Sequence, residues 1–177
     1  MPQTLADNAL AALRTRITRI MPAQIRAAVD TMSDEQLWWR PNEGANSVGN
    51  LLLHLTGSVN HYLNFLVGGI EYHRDRAGEF AERNHISREE LLAAFDAMVA
   101  NSEKTFDGLT PERLAGPAAD PRSETMFEDL LGVAVHVSNH TGQIVWIAKM
   151  LHEGVLDEIW IRTHRKLGAY KPTPDSR

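Results

Sequence analysis

No cysteine occurs among the 177 residues. That excludes a disulfide framework, thiolate metal sites, iron–sulfur clusters and a cysteine nucleophile, so any metal must take nitrogen or oxygen ligands. Long apolar runs are missing as well. The amino-terminal MPQTLADNALAALRTRI carries polar and acidic residues early, which predicts neither a secretory signal nor a membrane span and makes a cytoplasmic protein the expectation. Positive charge is in deficit, with 18 Lys and Arg against 23 Asp and Glu for a net charge of −5. This argues against a nucleic-acid or anionic-membrane partner, because both depend on clustered cations. Repeats, low-complexity tracts and linker-like stretches are also absent. With 43% hydrophobic and 23% charged residues, the chain is expected to form a single domain over residues 1–154, with a tail at 155–177. Set against these shortages are eight histidines.

Few segments alternate with period two, whereas four long ones repeat at helical spacing, so an all-α chain is expected. The first runs from Thr4 to Met32 with Leu10, Leu13, Ile17 and Ile20 on one stripe, and Pro22 predicts a kink or a break in it. The second starts near Asn46 or Ser47 and follows Val48, Leu52, Leu55, Val59, Tyr62 and Leu66 until Gly68 and Gly69 end it. A third opens on a capping box, Ser87 with Glu90, ahead of Leu91, Leu92, Phe95, Met98, Val99 and Phe106. The fourth spans about Thr125 to Glu153, with Gly154 as its terminator. Four amphipathic helices suggest a bundle. Each connection exceeds ten residues, so simple up-down order is not forced. The stretches 33–45, 70–86 and 108–124 have room for short helical turns, a crossover or the walls of a ligand site.

The fourth segment carries the sharpest chemical signal. Its core stripe reads Met126, Leu130, Val133, Val137, His140, Ile144, Ile147, Leu151, which puts a histidine in an apolar series. His136 lies one turn earlier, about 40° away around the helix, so both imidazoles leave the same side. An i, i+4 histidine pair can converge on one divalent ion with little backbone adjustment, and it needs a third ligand. In the second segment His54 borders the stripe and is the candidate. His61 is only about 20° away from His54 but roughly 10 Å further along the axis, so the two cannot readily share an ion. The blander reading makes His140 a hydrogen-bonded core residue, His136 a boundary residue and His54 a packing histidine. Two neighbouring buried imidazoles still need partners, since each unsatisfied nitrogen costs roughly 1–3 kcal/mol. His61, His73, His85, His152 and His164 are assigned no function.

Other chemistries do not fit. The zinc-protease motif needs Glu directly after its first histidine, where Val137 stands. A di-iron bundle needs two Glu-x-x-His units, and only Glu82 with His85 matches. There is no nucleophile elbow, P-loop or dinucleotide fingerprint.

Two motifs together resemble the DinB-like proteins, a group that includes the bacillithiol S-transferases and the mycothiol-dependent maleylpyruvate isomerases. LWWRPNEGANSVGNLLLHL, from Leu37 to Leu55, is similar to the Trp-Arg-Pro turn and second helix of that family, and HVSNHTGQIVWI, from His136 to Ile147, to its fourth-helix H-x-x-x-H-x-x-Q signature. The resemblance covers about residues 5–152. It implies a four-helix bundle with a long crossover connection, often a homodimer, and a divalent metal, zinc or nickel, on His54, His136 and His140. Gln143, and less directly Asn50 or Asn139, would orient a ligand or a histidine. Three neutral ligands leave an open position, and a metal-bound thiol is deprotonated at neutral pH. The expected function is therefore a thiol S-transferase that joins a small thiol to a small electrophile in detoxification or stress response. The rivals are a non-catalytic metal-binding protein of the same fold and a water-activating hydrolase. The sequence shows no evident basic pocket for a thiol's carboxylates beyond Arg40 and the tail arginines.

Overall fold

Capping side chains set most of the helix starts. The computed structural model describes residues 3–83 and 86–152. Thr4, Ser33, Ser47, Ser87 and Thr125 each accept a hydrogen bond from the backbone N–H three residues on, and the residue there bonds back to the cap. These five capping boxes open helices α1 (Leu5–Thr15), α3 (Asp34–Trp38), α4 (Val48–Val59), α6 (Arg88–Asp107) and α7 (Met126–Leu151). Helix α2 (Met21–Val29) continues α1, and a short α5 (Arg76–Ala81) lies in the second connection, its first turn capped by Asp75. Among the described residues there is no strand, only an isolated antiparallel bridge between Pro117 and Thr125. The protein is all-α.

Pro22 does not break the first rod. It has no N–H for the carbonyl four residues back, and its ring would collide with that carbonyl. A π turn at Arg16–Ile20 absorbs the mismatch: the Met21 N–H bonds the Arg16 carbonyl five residues back, and the helix resumes. A second π turn, Asn60–Phe65, extends α4 and alters the expected stripe. Val48, Leu52, Leu55 and Val59 are buried as the period requires, but Leu63 and Asn64 are buried beyond them, while Tyr62 and Leu66 are only half-buried. The extra residue in the wide turn advances the helix face by one position. Asn64 then donates to the Asn60 side chain and the Met98 carbonyl, pinning the extension to α6. Gly69, at φ +68°, ends the rod in the left-handed conformation that glycine tolerates best.

α7 lies against α2 and α4, while α6 lies against α4 and the π turn of the first rod. The first rod therefore pairs with the last, whereas α4 and α6 are neighbours in the chain as well as in space. All three connections contain helix, as expected: α3, α5 and a 3-10 turn at Pro111–Ala115. Phe95, Ile25, Leu37, Leu52, Leu55, Leu130 and Ile144 form the centre of the core. Trp38 is a packing anchor. Its ring fills the space beside Gly49, and its Nε1 donates to the Ile86 carbonyl at 3.2 Å. No described helix is long and apolar enough to cross a membrane. α7 closes at Leu151 with His152 as its cap. The expected terminator Gly154, the tail 155–177, His85 and His164 lie outside the described residues.

Candidate metal centre

α4 and α7 meet along their polar interruptions. His54 is seven positions from the Ser47 cap of α4, on the side that faces α7, and His136 and His140 are one turn apart on α7. One ring nitrogen from each of the three lies within 4.8 Å of the other two. The ring centroids are 5.0 Å apart for His54 and His136, 4.9 Å for His54 and His140, and 4.6 Å for His136 and His140, all edge to face. His54 is buried at 6% exposure, whereas His136 and His140 are half-buried. His140 is thus less enclosed than its place in the apolar stripe suggests.

The ring contacts differ. His54 Nδ1 is 2.9 Å from Glu79 Oε2, and His140 Nδ1 is 2.8 Å from Gln143 Oε1. His136 Nε2 is buried and has no hydrogen-bond partner among the described residues. Burial, reinforced by the neighbouring imidazoles of His140 and His54, pushes the His136 pKa down to about 4. Burial also lowers His54, and the Glu79 contact opposes that shift only in part. Both rings are therefore neutral at pH 7 and offer lone pairs, the form a metal ion requires. The donor set fits a divalent ion: three imidazoles, no acidic ligand among them, and one buried nitrogen left without a partner.

Sequence reasoning found the histidines but missed the residues behind His54. Glu79, on α5, is 7% exposed, and Arg74 donates to both of its carboxylate oxygens, Nε to Oε1 at 2.7 Å and Nη2 to Oε2 at 2.9 Å. The Arg74 and His54 hydrogen bonds outweigh burial and hold the Glu79 carboxyl below its usual range. Phe80 stacks on His54 at 4.8 Å. Gln143 contacts His140. Asn50 instead accepts from Ser47 and donates to the Glu79 and Glu82 carbonyls at 3.0 and 3.1 Å, so it holds the segment that carries Glu79. Asn139 is exposed.

A cleft of about 380 Å³ leads away from His54 and His136 along α7. Arg74, Arg76 and Arg122, which the sequence did not single out, line it together with Asp120, Glu128 and Asp129. Arg122 is paired with Asp120 and lies 4.6 Å above the Tyr62 ring. Arg76 covers Phe80 and has no carboxylate partner among the described residues. Arg40 is not part of this wall, since it folds back on the Glu43 carbonyl.

Residues 4–165 match the family described as "Protein of unknown function (DUF1572)". The chain belongs to that family. The match spans α4, α5 and α7, and with them every residue of the histidine cluster and its support. No curated protein matches the chain. Membership in this DUF1572 family thus fixes kinship without assigning chemistry, which has to be read from the site.

Among the described residues no other histidine joins the cluster. His61 packs on Tyr62 and Phe65, and His152 contacts Gln36. Glu79 carried no signal in the sequence, because a single acidic residue in a connection has no periodicity to mark it. The one available pointer was the length of 70–86, too long for a simple turn between helices.

Proposed function

We propose that this protein is a divalent-metal-dependent enzyme of thiol S-transferase type, with a DinB-like four-helix bundle crossed by a long connection. The observation that carries the reading is the convergence of His54, His136 and His140, the first two lining a cleft, with His136 Nε2 buried and unpartnered among the described residues. A closed structural site would be filled by a fourth protein ligand, and among the described residues no fourth histidine or carboxylate joins the three. A zinc or nickel ion bound by the three histidines would supply Lewis acidity that keeps a small thiol deprotonated at neutral pH. The protein's own residues do the rest. Arg76 and Arg122 offer donors to an anionic group on the thiol, Tyr62 gives a flat wall, and the half-buried α7 face admits a small electrophile. Because the chain has no cysteine, the sulfur must be diffusible. A cytoplasmic role in detoxification or stress response, in a homodimer, accompanies this reading.

The test begins with elemental analysis of untagged protein beside His54→Ala, His136→Ala and His140→Ala. Wild type should carry close to one transition-metal ion per chain, and each variant should lose most of it; a wild type without stoichiometric metal ends the proposal. Conjugation of chlorodinitrobenzene is then measured with a panel of small thiols, where metal-dependent turnover is expected. Bound metal without turnover across the panel favours a non-catalytic metal-binding protein, and thiol-independent ester cleavage favours a hydrolase.

A further inference from the structure

We propose that Glu79 is a positioning residue that fixes the tautomer of His54, holding the proton on Nδ1 so that Nε2 keeps the free lone pair. The proposal rests on reading the three histidines as a metal centre. Glu79 lies on α5, outside the helices that carry the histidines, and its carboxylate is brought against the back of the His54 ring.

Two charged groups approach His54 Nδ1, and they favour opposite tautomers. Glu79 Oε2, at 2.9 Å, only accepts; Arg74 Nη2, at 3.3 Å, only donates. The carboxylate decides the matter. If Nδ1 bore a lone pair, it would face the ionised oxygen at hydrogen-bond distance with no proton between them. Arg74 loses nothing when Nδ1 is protonated, because Nη2 already donates to Glu79 Oε2 at 2.9 Å and Nε to Oε1 at 2.7 Å. Arg74 therefore anchors the carboxylate, and the carboxylate sets the ring.

The surroundings leave the carboxylate little freedom. Gly57, one turn after His54, leaves room for it, since a Cβ there would overlap Glu79 Oε1. Asn50, one turn before His54, holds the backbone carbonyls of Glu79 and Glu82. Three consecutive turns of α4 thus supply a clamp, a ligand and a gap, all directed at one side chain of α5. On the opposite helix Gln143 Oε1 approaches His140 Nδ1 and selects the same tautomer. A carboxylate behind a ligating imidazole also raises its basicity, and loss of such a partner typically weakens metal binding about 10–100-fold.

The alternative is that Glu79 and Arg74 only fasten α5 to α4. Two measurements separate the cases. In metal-free wild type, long-range ¹H–¹⁵N correlation of the histidine side chains should show His54 protonated at Nδ1; protonation at Nε2 overturns the proposal and requires no variant. Zinc titration against a competing chelator should then give Glu79→Gln, which keeps the volume and removes the charge, an affinity about 10–100-fold below wild type. Affinity within twofold of wild type would leave Glu79 a fastening residue only. Failure of wild type itself to take up zinc would overturn the metal reading instead, and the tautomer would still decide what Glu79 does to His54.

Discussion

The two helices that meet at the histidine cluster support their imidazoles in different ways. On α7, His140 leans on the exposed Gln143 three residues later in the same helix, and His136 Nε2 has no partner among the described residues. On α4, His54 is backed by Glu79 and Arg74, both delivered by another part of the chain and both largely buried. The His140 contact on α7 is local and exposed, while the support on α4 is tertiary and dry. A local contact is cheap to lose, because water can replace it; a buried charge that loses its partner has nothing to replace it with. The α4 half should therefore carry the stability cost of the site, and the α7 half should stay tolerant.

The sharpest way to break this contrast is Arg74→Ala. It leaves the Glu79 carboxylate buried with only His54 beside it, and urea denaturation of the metal-free protein should show a loss of about 3–5 kcal/mol. A loss under about 1 kcal/mol would mean that water reaches Glu79 and that the two halves do not differ. The glycines make a second contrast. Gly57→Ala drives a methyl into Glu79 and should cost about 1–3 kcal/mol, whereas a Cβ at Gly142 on α7 meets nothing within 4 Å, so Gly142→Ala should stabilise by about 0.5–1 kcal/mol.

Acidity tests the half-buried imidazole next. His136 has a pKa of about 4 in the fold against an ordinary 6.5, so between those values the unfolded chain binds a proton that the native chain refuses. Its contribution to stability is complete above pH 6.5 and is lost as the pH falls through about 4. Melting temperatures of the chelator-treated protein should drop over this window, and His136→Ala should flatten the drop. An unchanged slope in the variant would place the loss elsewhere, for instance at Glu79, whose carboxyl is held low by Arg74 and His54. The smallest effect is expected for Gln143→Ala: stability within about 0.5 kcal/mol of wild type, and a fall in zinc affinity smaller than that of Glu79→Gln in the same titration.

Much of the fold was legible because it is local. Ser47, Ser87 and Thr125 announce their helices through side-chain bonds three residues long, and the apolar period places Leu52, Leu130 and Ile144 inside. Legibility failed where the helix departs from its own period. The π turn at Asn60–Phe65 moved the buried face from Tyr62 to Leu63, and the one at Arg16–Ile20 stands where Pro22 predicted a kink or a break. Nothing in a count of apolar residues marks a turn with one residue too many.

The site divides the same way. The composition removed sulfur from the possible ligands, and the i, i+4 spacing put His136 and His140 on one side of a helix before any neighbour was known. Gln143 followed from the same geometry. The sequence by itself thus determined an all-α chain with a two-histidine claw. The tertiary structure decided that the third histidine the sequence proposed, His54, reaches the pair, since only the packing of α4 on α7 brings the three rings together. It also decided that Glu79 and Arg74 stand behind that ring, 25 and 20 residues away in the chain. Helical periodicity extends over a few turns, and contacts across such separations are fixed only when the long connections place one helix upon another.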